Sequence, residues 1–438
     1  MTWTHIKHFL LGVLIVLSLF LSFSLLTAGS QRDEQASTGN NSTPSLVADR
    51  TISEVFSPQQ IVIHEAYENP LIASLQDSRA LIERTYENIT YEEVQEPETF
   101  TREEYQQAVA EDSWVEFVYD GQIPFGLFEN GFENLPSDYE NRTFNKILFN
   151  LENEQQVLFY NSSDEVIYRV GQVNYVENVI DEFRGSETIQ YTEAASLELA
   201  QIVYVPREEV VVPYRNYVVR QLPDVFYIDL LFEETPEVER RVTGETRIYN
   251  DLRTKVEVND LTNVLTYERQ RANSGQLTLS ERLLNSYQEL RQVENWTDRS
   301  QYQSYNAATN YVVFQRYLDG LPVFSSQQLE STVRVRVGAN GRRNLRIPLQ
   351  IIQTPISLPG YEQKTLPSGL AIADQLEAAG VALSTVDELK VGLTWEESEE
   401  DERVIHFEPD WYVSVEEDES VYEIGRFLEL QEDSLNGL

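Results

Sequence analysis

The chain reads as an α+β protein hung from one N-terminal transmembrane helix. Three features predict this: an uncharged apolar run at Phe9–Ala28, alternating apolar strands between turn residues from about residue 60 onward, and a smaller set of capped amphipathic helices among them. Beyond the anchor the chain is long enough for an elongated portion of two or three domains.

The run Phe9–Ala28 (FLLGVLIVLSLFLSFSLLTA) has the length of about 20 residues that a helix needs to cross a hydrocarbon core. It exceeds the roughly 7–15 residues of a cleaved signal, and Leu26 and Ala28 imitate a small-x-small cleavage site poorly. A retained anchor over residues 1–30 follows, with cleavage and secretion as the alternative. Lys7 precedes the run while Arg32, Asp33 and Glu34 follow it, which sets the N-terminus in the cytoplasm and the bulk of this single-pass protein outside the cell membrane. Within the run, Ser18 and Ser22 share a helix face with Leu11, Ile15 and Leu25. Small residues four apart let a second helix approach closely, so this seam is a candidate partner contact; the alternative is serine bonding its own i−4 carbonyl.

The tract 31–50 is polar and lacks apolar periodicity, as a flexible tether does. A first α+β domain is expected over 51–190, with a strand at Ile61–His64. A helix opened by Pro70 should carry Leu71, Leu75, Ile82, Tyr86 and Ile89 on one face, and strands should follow at Trp114–Tyr119, Val157–Tyr160 and Val166–Val170. A central domain over 191–303 should begin with a short helix, Glu193–Ala200. Strands are expected at Ile202–Val205, Val210–Val212, Arg247–Tyr249 and Val264–Tyr267. Its clearest helix has Thr278 and Glu281 in capping-box positions and a stripe of Leu279, Leu283, Tyr287, Leu290 and Val293. A C-terminal domain over 304–428 should hold a strand at Tyr311–Tyr317, a turn at Asp319-Gly320 and a hairpin turned at Asn340-Gly341. A helix from Ser368 to Ala379 stopped by Gly380 and strands at Val404–Phe407 and Trp411–Val415 complete it.

Composition excludes several function classes. The 438 residues contain no Cys, so no disulfide scaffold exists, and such an exported chain fits a Gram-positive surface. A net charge of −40 argues against a nucleic-acid partner. Of 33 basic residues only five are Lys (7, 146, 255, 364 and 390). Beyond the anchor region the histidines are His64 and His406, in separate expected domains, so a Ser-His-Asp triad or a zinc site has little to draw on. Neither G-x-G-x-x-G nor a Walker A run occurs. No catalytic residue, cofactor or metal site is therefore assigned. Paired carboxylates could serve glycoside hydrolysis, but with 73 acidic residues spacing selects none of them. The clusters at 396–402 and 416–419 read as solvated loops, since no EF-hand pattern supports calcium.

One basic feature stands out. In Thr332-Val-Arg-Val-Arg-Val337 the valines share one face and Arg334 and Arg336 the other, where Arg346 joins them across the turn. This arginine ladder either pairs with the chain's own carboxylates or docks an acidic partner or anionic envelope polymer.

The single N-terminal anchor, Trp114-Val-Glu-Phe-Val-Tyr-Asp-Gly-Gln-Ile-Pro-Phe-Gly-Leu-Phe128, Ile202-Val-Tyr-Val-Pro206 followed by Tyr214 and Leu231-Phe232, then Asp319-Gly-Leu-Pro-Val-Phe324, Leu366-Pro-Ser-Gly369 and Pro409-Asp-Trp-Tyr-Val413 follow one another along the chain. Taken in this order they resemble the YycH regulators of the WalK/WalR (YycG/YycF) two-component system. The Asp319–Val323 element also looks like the turn of PepSY-type and YycI-like domains, which implies sheet-plus-helix folds for the C-terminal domains. The resemblance implies a non-enzymatic extracytoplasmic regulator of cell-wall metabolism signalling. It would act with YycI on the WalK sensor kinase through transmembrane-helix contacts, with self-association as a homodimer left open. Readings from other classes are a carboxylate-based cell-wall hydrolase and a PepSY-like inhibitor or folding factor.

Overall fold

The computed structural model describes residues 50–436, apart from 154–155, 171–172, 176–178, 233–237, 271–274, 295–298, 326–328, 339–340, 361 and 416–417. The expected anchor and tether, with Leu11, Ile15, Ser18, Ser22 and Leu25, lie outside the described residues. Among the described residues no helix is long and apolar enough to cross a membrane. The fold is α+β and mostly sheet.

The first sheet has nine strands in the order Ile202–Pro206, Tyr191–Glu198, Leu71–Ala73, Gln60–His64, Trp114–Pro124, Thr143–Asn150, Val157–Asn161, Val166–Arg169 and Glu98–Thr99. Its central strands are covered on both sides, so their burial does not alternate: QIVIH is buried from Ile61 onward and VLFYN throughout. On one face Ile61, Ile63, Val115, Phe117 and Phe149 pack with Leu81 and Ile82 of the helix Leu75–Asn88. On the other, Val62, Leu148, Leu158 and Tyr204 pack with Tyr105 of the helix Arg102–Glu111.

Two sequence expectations fail here. The helix does not open at Pro70; Leu71–Ala73 is a strand, and Ser74 caps the helix by accepting from the Asp77 amide. Glu193–Ala200 is not helical either, because Tyr191–Glu198 pairs with Leu71–Ala73 on one side and Ile202–Pro206 on the other. Two rows of ladder bonds outweigh the helix preference of its Glu and Ala residues. The expected domain break at 190/191 therefore falls at the start of a strand that belongs to the first sheet.

The second sheet has 14 strands, running from Glu239–Thr243 at one edge to Gln350–Pro355 at the other, with Arg299–Asn306 and Asp418–Glu423 attached. The expected break at 303/304 cuts through Arg299–Asn306, which pairs with Tyr311–Leu318, so the central and C-terminal blocks share this sheet. The strands expected at 404–407 and 411–415 are one, Val404–Val415, paired along its length with Val386–Glu397.

Other expectations hold. Thr278 and Glu281 form the capping box of Leu279–Val293, whose Leu283, Tyr287, Leu290 and Val293 are buried with Val333, Val335 and Val337. That cluster is continuous with the interior of the first sheet. Asp319 and Gly320 turn the chain with φ of 50° and 83°, as a two-residue hairpin loop of the primed type requires. Ser368 caps Gly369–Ala378, and Gly380 follows at φ 83°.

The start of that helix lies so close to Ile202–Pro206 that a Cβ on Gly369 would overlap the Val205 side chain. Gly369→Ala should lower stability by about 1–3 kcal/mol in denaturant titration, the usual cost of overpacking. Combining it with Val205→Ala should recover part of that loss, whereas strictly additive costs would show that the contact is not the cause.

Candidate functional site

The sequence offered Arg334, Arg336 and Arg346 as an exterior site, and the strands Thr332–Val337 and Arg342–Pro348 bring them together. Arg334 lies directly opposite Arg346, and Val333, Val335 and Val337 are buried on the reverse face. All three arginines are half-buried. Arg336 donates through Nε and Nη2 to Asn344 Oδ1 at 3.1 and 2.7 Å, and its guanidinium lies 5.1 Å from the centre of the Tyr311 ring. Arg346 donates to Thr332 Oγ1 at 2.9 Å. Burial, followed by the Arg334 charge, pulls the Arg346 guanidinium down to about 10. These bonds of Arg336 and Arg346 run to neutral groups, and the Glu330 carboxylate also acts on the Arg346 charge.

The histidines are both engaged. His406 Nδ1 is 2.6 Å from Asn216 Oδ1 across paired strands. His64, which sequence reasoning left without a partner, has its Nε2 2.8 Å from Glu116 Oε2 in the first sheet. Glu116 also accepts from Lys146 Nζ at 2.9 Å and from Tyr105 Oη at 2.5 Å. Lys146 donates further to Tyr105 Oη and the Ile202 carbonyl, and Tyr105 meets Tyr204 at 2.6 Å.

All five side chains are buried, Glu116 completely. Burial alone would raise the Glu116 carboxyl, but the Lys146 charge, His64 and the Tyr105 hydroxyl together hold it down to about 2. Burial pushes the Tyr105 and Tyr204 hydroxyls well above the ordinary phenol range. With every member enclosed, the arrangement acts as a charged core that fixes strand against strand. The sequence did carry a signal for it, since Glu116 and Lys146 each interrupt an apolar strand, WVEFV and FNKILF. Only the fold reveals that they meet.

A second buried ion pair, Arg316 with Glu294, sits in the other sheet, where Arg316 also donates to the carbonyls of Glu330, Pro348 and Gln350. The acidic segment after Glu397 is a turn in which Arg403 pairs with Asp401. Among the described residues no group of three or more His, Asp or Glu could hold a metal ion.

Several of the motifs singled out in the sequence touch one another. Trp411 of PDWYV donates its indole N–H to the Pro367 carbonyl, and Gly369 abuts Val205. Phe324 stacks on Tyr412 with ring centres 3.9 Å apart. Gly121 approaches the Gln303 carbonyl, and Asp319 pairs with Arg215.

A family model described as the YycH protein N-terminal domain matches residues 4–188, and one described as the YycH protein C-terminal domain matches 200–424. The chain belongs to the YycH family. A crystal structure of YycH from Bacillus subtilis superposes with a TM-score of 0.67 at 15% identity, covering 86% of this chain and 98% of that one. At that identity the likeness to the B. subtilis YycH speaks for the fold. No curated protein matches the chain.

The enclosed cluster of this YycH-family chain carries its own pH signature. Because the folded Glu116 carboxyl lies below its ordinary 4.5, the stability it contributes is present above about pH 4.5 and is lost as pH falls towards 2. Glu116→Gln should cost about 3–5 kcal/mol at neutral pH by stranding the Lys146 ammonium, and should flatten the decline of melting temperature across that acid window. Parallel pH profiles for wild type and variant would show that Glu116 is not held charged by its neighbours.

Proposed function

We propose that this chain is a membrane-anchored extracytoplasmic regulator of the WalK (YycG) sensor kinase that acts with YycI through contacts between transmembrane helices. The observation that carries the reading is the family match over both halves of the chain. The N-terminal match begins at residue 4 and so takes in the apolar run Phe9–Ala28, the length of which suits a bilayer-spanning helix. In this reading the anchor associates laterally with the helices of the kinase and of YycI, and the two sheets form the exterior portion that biases the complex. No catalytic step is required of it, and the output is cell-wall metabolism signalling.

In a bilayer, helices associate through close packing, because lipid tails are as apolar as leucine and offer no hydrophobic drive. Small residues on one face then mark the contact. Ser18 and Ser22 provide that face, flanked by Leu11, Ile15 and Leu25. Replacing Ser18 and Ser22 together by Ile keeps the segment apolar while blocking close approach. A membrane two-hybrid assay with WalK and YycI should lose signal for this variant at unchanged membrane abundance. Ile at Leu17 and Leu21, mostly on another face, should matter less. Equal signal from the wild type and both double variants would rule the seam out as the interface.

A further inference from the structure

A groove of about 580 Å³ opens on the second sheet, lined by Arg282, Ala308, Thr309, Asn310, Tyr311, Arg336, Gly338 and Arg342. Three separate parts of the chain build it. Arg282 comes from the first turns of the helix Leu279–Val293, Tyr311 and Arg336 face each other across paired strands, and Gly338 and Arg342 flank the next hairpin turn. Three arginines line the groove, and no carboxylate is among its described lining residues. In a chain of net charge −40 this is a local reversal of sign.

The bonds of Arg282 and Arg336 leave that charge largely in place, since they run to neutral groups. Arg282 Nη1 donates to the Val337 carbonyl at 2.9 Å, and Arg336 to Asn344 Oδ1. Arg342, the most exposed of the three, pairs with Glu268 at 3.5 Å. Glu268 also accepts from Asn344 Nδ2 at 2.6 Å, so it sits behind Asn344 and orients the amide that holds Arg336.

Forked guanidinium donors match phosphate oxygens bidentately, and with one of the three paired to Glu268 the remaining positive charge suits the multiple charge of a phosphate better than the single charge of a carboxylate. The volume falls in the range of small-molecule sites, about 300–1,000 Å³. Charge also discriminates by size. Physiological salt screens fields beyond about 8 Å, so a compact anion inside the groove feels mainly the arginines, whereas a long polyanion must run over the acidic surface beyond it. We propose that this groove binds a compact phosphate-bearing small molecule, a property separate from the kinase-regulator reading.

The test is isothermal titration of the full chain in detergent micelles, with pyrophosphate as the compact probe and long-chain polyphosphate as the polymeric one. Saturable one-to-one binding of pyrophosphate is expected, weakening as salt rises from about 0.05 to 0.5 M. Arg336→Gln and, separately, Arg282→Gln should weaken it about tenfold or more, the loss of one charge-assisted pair. Arg342→Gln, at a more exposed position that leaves the core untouched, should also weaken it and covers the case in which the other variants unfold by circular dichroism. Arg403→Gln, in the exposed 401–403 turn, should not change it. Absence of saturable binding, unchanged affinity in the folded groove variants, or tighter binding per phosphate for polyphosphate would each overturn the proposal.

Discussion

Glu116 is a carboxylate with no access to water, and the first sheet is arranged around keeping it charged. Such a group is costly to bury alone, and it persists only where opposite charge and hydrogen bonds replace its hydration. His64, Lys146 and Tyr105 supply these from two strands and a helix. Tyr204 and the Ile202 carbonyl complete the set from a fourth segment, with Ile202 lying 56 residues beyond Lys146. The interaction therefore specifies more than a local contact. It requires the stretch after residue 190 to return to the first sheet, and that return brings Val205 to the helix beginning at Gly369.

Further constraints of the same kind join the two sheets. Lys390, on a strand of the second sheet, donates to Asp120 of the first and pairs with Glu388 beside it. Gly121 next to Asp120 lies against the Gln303 carbonyl, so the close approach of the backbones and the half-buried charge pair occur at one place. The family motifs fall on these seams: Asp120-Gly121 at one, Val205 with Gly369 and Trp411 with Pro367 at another. Their order in the sequence is the order in which the chain returns to each seam.

What the sequence made legible was local. The capping box at Thr278, the primed turn at Asp319-Gly320 and the Gly380 stop depend on residues a few positions apart, and all appear as expected. Misreadings arose where distant pairing decided the outcome. Leu71–Ala73 and Tyr191–Glu198 carry residues compatible with helix, yet each becomes a strand because strands on either side need it. The sheets continue past the expected breaks at 190 and 303, while the two family models divide the chain between 188 and 200. Arg334, Arg336 and Arg346 share a strand face, as the two-residue strand period predicts, but the contacts with Asn344, Thr332 and Tyr311 could not be read because these are neutral residues without a distinctive pattern. Glu116 with Lys146 went unrecognised for the same reason that it matters: its members meet only after folding.

The apolar run Phe9–Ala28 and the two sheets fall within one chain that the YycH family models match over both halves. The central claim is that the anchor, rather than the sheets alone, holds the chain to its partners. The direct measurement is co-purification from membranes of tagged full-length chain, and of a secreted form lacking residues 1–30, with WalK and YycI expressed together. The account predicts that both partners accompany the full-length chain and that the kinase is lost from the truncated, still folded form. Recovery of WalK in equal amount with both forms would contradict it.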